Sequence, residues 1–213
     1  PVFYSQFQTP KVTAAAGIFT RDMMHDDDYS TAFFSESERF FHNRMNGVLA
    51  QYNGKRDSYV EFVCDWEGMY STLSREKFRI LLAGRHYLDT FYYGFNYSMF
   101  HYAGQQGAPI ENVVDLQLLN PCVGVRFNAF FDFDIKLGAL LTAQRDRSFG
   151  HSWEKPCMGE FAFRISRWGL SLDERLYVGD NIHPFFYGHE LEDGTPLPYG
   201  RELYPAESFF RTD

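Results

Sequence analysis

A chain of 213 residues and 24.9 kDa is long enough for one substantial folded domain, so core size is not limiting. Its formal net charge of −8 excludes the basic face that nucleic-acid binding needs, and fits either a cation-preferring lumen or an ordinary aqueous surface. Aromatic residues make up 19% of the chain, with 23 phenylalanines, yet the mean hydropathy is −0.37, so apolar residues are spread in alternation rather than gathered in blocks.

Strands are predicted over Val2–Gln8, Val12–Thr20 and Gly47–Asn53. Ser58–Tyr70 alternates almost without a slip. Val60, Phe62, Cys64, Trp66, Gly68 and Tyr70 fall on one side, and Tyr59, Glu61, Val63, Asp65, Glu67 and Met69 on the other. A period of two is the signature of a strand, because successive side chains point to opposite faces. Lys77–Leu88 sets Phe78, Ile80, Leu82 and Leu88 against Lys77, Arg79 and Arg85. Phe91–Ala103 follows, aromatic on both faces.

The run from Val113 to Gln144 is the most informative. From Val123 to Leu141 the odd positions are apolar or small, while Arg126, Asp132, Asp134 and Lys136 share the even parity. Its length predicts two strands with a tight turn near Phe127–Phe130. Cys157–Ser166 and Leu170–Val178 form the last predicted pair, turning at Trp168-Gly169. Glu174 breaks their pattern.

Arg21–Asn46, Gly104–Asn112 and Asp146–Pro156 read as long loops. The stretch 180–213, rich in Pro and Gly, reads as a loop or C-terminal extension beyond strands and loops spanning 1–179. Thr90–Ile110 carries no charge and is long enough to cross a bilayer, but its Gly, Asn, Gln, Tyr and Pro109 predict strand then loop. No signal peptide is visible at Pro1, so the numbering is expected to begin after processing or inside a longer polypeptide. Cys64, Cys122 and Cys157 are widely spaced, form no CxxC and read as small apolar residues.

The expected fold is all-β: an antiparallel up-and-down meander of eight to ten strands, with short turns at one end and long loops at the other. Alternation fits a soluble sandwich as well as a transmembrane barrel. Three features favour the barrel. The strands reach the ~9–11 residues that cross a bilayer. Their polar parity mixes both charge signs with small residues, as a lumen wall does. Tyr59, Tyr70, Tyr87, Phe91, Tyr102, Trp153, Trp168 and Tyr177 lie near strand ends, where interfacial aromatic girdles sit.

The segments GIFTRDMM, HNRMNGVLAQYNG, YVEFVCDWEGMYSTLSREKFRILLAGRHY, ALLTAQRDRSFG and RWGLSLDERLYVGDNIHPFFYG, within Gly17 to Tyr187, resemble porin-like outer-membrane β-barrels of Gram-negative bacteria. The resemblance implies Sec export, residence in the outer-membrane bilayer and passage of small solutes or ions. Oligomeric state and partner subunits are not legible. Such barrels commonly finish on a strand with a terminal aromatic, whereas this chain finishes ESFFRTD. That departure points either to a piece of a longer barrel or to another family.

Candidate pore-lining residues are Glu61, Asp65, Glu67, Arg79, Arg85, Arg126, Asp132, Asp134, Lys136 and Arg164. Their opposed charges would set a transverse field and an ion preference; salt bridging inside a closed lumen is the plainer alternative. Asp26, Asp27 and Asp28 offer hard oxygens to a cation such as calcium, but lack the spacing of a calcium loop. They read as a solvated acidic loop or as a pore-restricting loop whose acids face wall arginines. His183 and His189-Glu190 match no zinc pattern, and no cofactor motif is present. There is no GxSxG, although His101 or His151 near a rim would suit a barrel-borne hydrolase. A soluble carbohydrate-binding module is the other rival.

Overall fold

The computed structural model describes residues 2–34, 40, 43–107, 113–147, 152–182 and 206–213. These form one eleven-stranded antiparallel sheet whose spatial order follows the chain. The strands are β1 (Phe3–Gln8), β2 (Val12–Thr20), β3 (Arg44–Asn53), β4 (Tyr59–Gly68), β5 (Arg75–Leu88) and β6 (Phe91–Gln105). They continue through β7 (Val114–Asn128), β8 (Asp132–Asp146), β9 (Cys157–Arg167), β10 (Leu170–Gly179) and β11 (Ser208–Thr212). Among the described residues no ladder joins β1 to β11, so the sheet is not closed.

Two expectations change. The strand count exceeds eight to ten, and the stretch 180–213 is not all irregular, because Ser208–Thr212 pairs with β10. That pairing accounts for Glu174, whose carboxylate accepts the Thr212 hydroxyl at 2.9 Å across the ladder. The connections alternate as expected. Residues 9–11, 54–58, 89–90, 129–131 and 168–169 make short turns at one end; 21–43, 69–74, 106–113, 147–156 and 180–207 are the longer links at the other. At Trp168 (φ 55°) and Gly169 (φ 80°) both central residues of a two-residue hairpin have positive φ, the combination whose twist matches that of the strands.

The sheet curls. Tyr29 and Ser30 are adjacent, with Cα atoms ~3.8 Å apart, yet Tyr29 bonds to Glu61 on β4 and Ser30 meets Tyr177 on β10. Those strands are six steps apart, about 29 Å if the sheet were flat at ~4.8 Å per step. Only a wrapped sheet brings them together. The strands are also staggered. Tyr59, the first residue of β4, connects through successive register partners Arg85, Gly94, Cys122, Gly138 and Glu160 to Tyr177, seven residues beyond the start of β10. Taking the short turns as one rim, that shift is about 23 Å along the strands against about 29 Å across them, a tilt of roughly 40°.

Parity decides which face is concave. Val60, Phe91, Val123, Leu137, Leu141, Leu172 and Val178 stand on the convex face with much of their surface exposed, Leu137 at 57%. Phe133 and Ile135 share that parity and are only half-buried, because no second sheet covers them. The concave face holds the core. Phe19, Leu49, Val63, Leu81, Leu118, Leu140 and Met158, contributed by seven strands, form one cluster with Tyr29, Ala32, Phe33, Phe34 and Ile182.

Candidate functional site

The predicted loop after β2 turns inward. Residues 21–34, which include single 3-10 turns at Arg21–Met23 and Asp26–Asp28, descend inside the curl and return. The Met23 carbonyl accepts the Gln51 amide at 2.7 Å. His25 stacks on the Tyr59 ring, centroids 3.8 Å apart, and its imidazole Nε2 lies 3.1 Å from Asn53 Oδ1. Both contacts lie next to the β3–β4 turn, so the segment reaches the short-turn end. Asp28 then meets Arg85 at 2.6 Å. On the way back Ser30 and Thr31 engage Tyr177, and Phe34 slides under the Arg21 guanidinium, 4.2 Å from its ring centroid.

Two fully buried glutamates fix this inward segment to opposite walls. Glu61 accepts the His25 backbone N–H at 2.9 Å, the Tyr29 hydroxyl at 3.0 Å and the Gln51 amide at 2.6 Å. Glu160 accepts the Tyr177 hydroxyl at 3.0 Å and the Asn120 amide at 2.9 Å, and lies 3.2 Å from Lys136 Nζ. A buried carboxylate without such donors would cost several kcal/mol. Both are satisfied, and both belong to one polar chain running Glu61–Tyr29, Ser30–Tyr177–Glu160 across the interior. Burial, with the Glu61 charge beside it, holds the Tyr29 phenol well above its ordinary range.

Below the segment, toward the short turns, lies a polar cavity of about 260 Å³. Its wall carries Arg85, Arg126, Lys136, Arg164 and Arg175, answered by Asp134 and Asp173 and, from the inward segment, by Asp27 and Asp28. Arg126 pairs with Asp134 at 2.9 Å and Arg164 with Asp173 at 3.0 Å. Tyr92 reaches across β7 to donate to Asp134 at 2.7 Å. Gly124 makes that possible, since a Cβ there would fall 2.2 Å from the Tyr92 ring. An adjoining recess of about 690 Å³ shares Arg126, Asp134 and Arg164 and reaches the Trp168-Gly169 turn.

Most predicted wall residues do face the concave side. Glu61, Asp65, Arg79 and Arg85 are buried there, and Glu67 lies 3.2 Å from Lys77 and 3.5 Å from Arg79. Asp65 accepts the Asn46 backbone N–H at 2.8 Å. Arg126, Asp134, Lys136 and Arg164 line the cavity. Asp132 sits exposed at the β7–β8 turn, bonded to Asn128, and belongs to the rim. The wall is not wholly polar, because Leu49, Val63, Leu81, Leu118, Leu140 and Met158 also face inward and pack with the aromatic residues of the inward segment. Asp26, Asp27 and Asp28 do not converge; among the described residues no group of three or more metal-ligating side chains forms. Instead Asp28 faces a wall arginine.

The aromatic girdle needs correction. Tyr59, Tyr87, Tyr102 and Tyr177 face inward and are buried, Tyr177 completely. The outward aromatics are Trp66, Tyr70 and Trp153 toward the long loops, and Tyr52, Phe91, Tyr93, Phe130 and Trp168 toward the short turns. His101, a candidate for catalysis, lies 2.7 Å from Asp115, whose other oxygen is held by Arg145 at 2.5 Å. His151, His183 and His189-Glu190 lie outside the described residues. All three cysteines are free, with Cys122 buried and Cys157 exposed.

Comparison with family models, with curated proteins and with solved structures gave no match for this chain. No helix among the described residues is long and apolar enough to cross a membrane, which leaves crossing by strands untouched.

Proposed function

We propose that this chain is a porin-like outer-membrane β-barrel, or a large part of one, in which residues 21–34 form an inward-folded gate. The observation that supports it best is the inversion of faces. A soluble β-protein turns its apolar face toward a second layer; here a largely apolar face is convex and uncovered, while the concavity holds ion pairs and buried carboxylates beside the apolar cluster that packs on the inward segment. The tilt of roughly 40° deduced from the register falls in the range of such barrels, and strands of ten to fifteen residues from β3 to β10 are long enough to span.

In this reading small solutes or ions pass through the charged concavity when the gate moves. The gate is held by side-chain contacts, namely one ion pair, a few hydrogen bonds and the buried packing of Tyr29, Ala32, Phe33 and Phe34, while the wall is also held by backbone ladders on every strand. Displacing it removes Asp27 and Asp28 and leaves Arg85, Arg126, Lys136, Arg164 and Arg175 facing Asp134 and Asp173. The cleared wall at that end favours anions.

Reconstitution tests the proposal. The chain should partition into detergent or bilayers, conduct little as it stands, and conduct more when Asp28→Ala frees the gate. A monodisperse preparation in detergent-free buffer would defeat the membrane assignment. Insertion without conductance in either form would defeat the channel.

A further inference from the structure

The convex face carries a groove over β3–β6, across the sheet from the gate. Tyr52, Val60, Gly84 and Phe95 are successive register partners on β3, β4, β5 and β6. Three are large or branched and the third in the row is glycine, so the row dips at Gly84. The dip is narrow at its base, where a Cβ on Gly84 would lie 3.5 Å from a Val60 methyl and 3.2 Å from the Phe95 ring, the latter closer than ordinary packing. It widens into a cavity of about 420 Å³, walled by these residues and Tyr93. That volume is within the range of small-molecule sites.

Its polarity is graded. The floor and walls are apolar, whereas Lys55 and His86 stand at the end nearest the short turns. The β3–β4 turn carrying Lys55 also holds Arg56 and Asp57, so it bears one net positive charge. His86 packs obliquely on Tyr93, ring centroids 5.4 Å apart, and narrows the mouth. An occupant must therefore have a slender apolar chain lying along the sheet and an anionic group at the rim.

We infer that this groove binds one membrane phospholipid, its acyl chain over Gly84 between Val60 and Phe95 and its phosphate beside Lys55. The inference rests on the membrane reading above, since only there does the convex face meet lipid. Both halves of the ligand find their match in the groove. The chain lies over the low point that Gly84 leaves in the row, and the phosphate meets a cation at the level where the apolar face ends. A single exposed cation near an anionic leaflet is worth about a fivefold preference.

Native mass spectrometry of the full chain released from nanodiscs tests this, with phosphatidylglycerol and phosphatidylcholine as probes. The wild type should retain one phosphatidylglycerol in preference to phosphatidylcholine. Lys55→Gln, in an exposed turn, should lower that preference about fivefold. Gly84→Leu should abolish retention of either lipid, and free glycerol phosphate should not displace the bound molecule. Retention unchanged in both variants, or displacement by glycerol phosphate, overturns the lipid site. If the chain inserts but holds no lipid selectively, the site alone falls. If it does not enter nanodiscs at all, the membrane reading falls with it.

Discussion

The Tyr29 hydroxyl donates to Glu61 at 3.0 Å, joining a side chain on an inward-folded segment to a carboxylate on β4 that has no exposed surface. Removing that hydroxyl leaves a buried acceptor one donor short. Tyr29→Phe should therefore destabilise the folded chain by roughly 1–3 kcal/mol. Urea or guanidinium unfolding in detergent micelles reads it directly, and no shift in the midpoint would show that Glu61 does not depend on Tyr29.

The same phenol makes alkaline stability a probe of the gate. Its folded-state pKa is raised by burial and by the Glu61 charge. Its contribution is therefore complete below the unfolded value of about 10 and declines as pH rises past it, because the unfolded chain then releases a proton that the folded chain keeps. Tyr29→Phe should lose stability more slowly than wild type above that pH. Parallel pH profiles for the two proteins would contradict the assignment.

Asp28 and Arg85 meet at 2.6 Å with the arginine buried. Breaking such a pair from one side costs about 3 kcal/mol or more, since the other charge is left inside. Asp28→Ala should raise open-channel conductance and accelerate proteolysis of the 21–34 segment. The exchange Asp28→Arg with Arg85→Asp should recover part of the closed behaviour. Equal conductance in all three proteins would remove this pair from gating.

Selectivity offers a separate check. In the opened form, Arg126→Glu and Arg164→Glu should each move the reversal potential toward cation preference, because each reverses a charge on the cavity wall. An unmoved potential would take the recess between β7 and β10 out of the conducting path.

Cysteine labelling tests the faces themselves. In bilayers, Leu137→Cys and Val123→Cys should resist water-soluble maleimides, while Arg126→Cys, on a half-exposed side chain at the mouth, should react. Equal rates at the three positions would mean that the convex face meets water.

Much of this arrangement was legible from alternation alone. β2 falls where the pattern placed it, and the turn at 129–131 sits within the predicted Phe127–Phe130 neighbourhood or one residue past it. The polar parity is the concave one on β4, β5, β8, β9 and β10. The misplaced girdle shows where position misleads and parity does not. Tyr59 alternates with Glu61 and Asp65, and Tyr177 with Asp173 and Arg175, so their inward direction was already written in the spacing. β11 was hidden for a different reason. Five residues after a Pro-rich stretch give too little period to read, and they become a strand because β10 offers an open ladder. The inward turn of 21–34 had only a partial signal, in three acids able to answer wall arginines. Tyr29, Ser30 and Thr31 carry no pattern, and their role comes from which walls the curl brings near.

The odd number of strands among the described residues sets the polarity of the seam. With every neighbour reversed, β1 and β11 point the same way. A direct join between them would be parallel, with slanted and evenly spaced bonds unlike the antiparallel ladders among the described residues. One additional strand, whatever its source, would meet both edges head-to-tail and restore a uniform weave. The edge residues Phe3, Phe7 and Phe210, all largely uncovered, are the ones such a strand would flank.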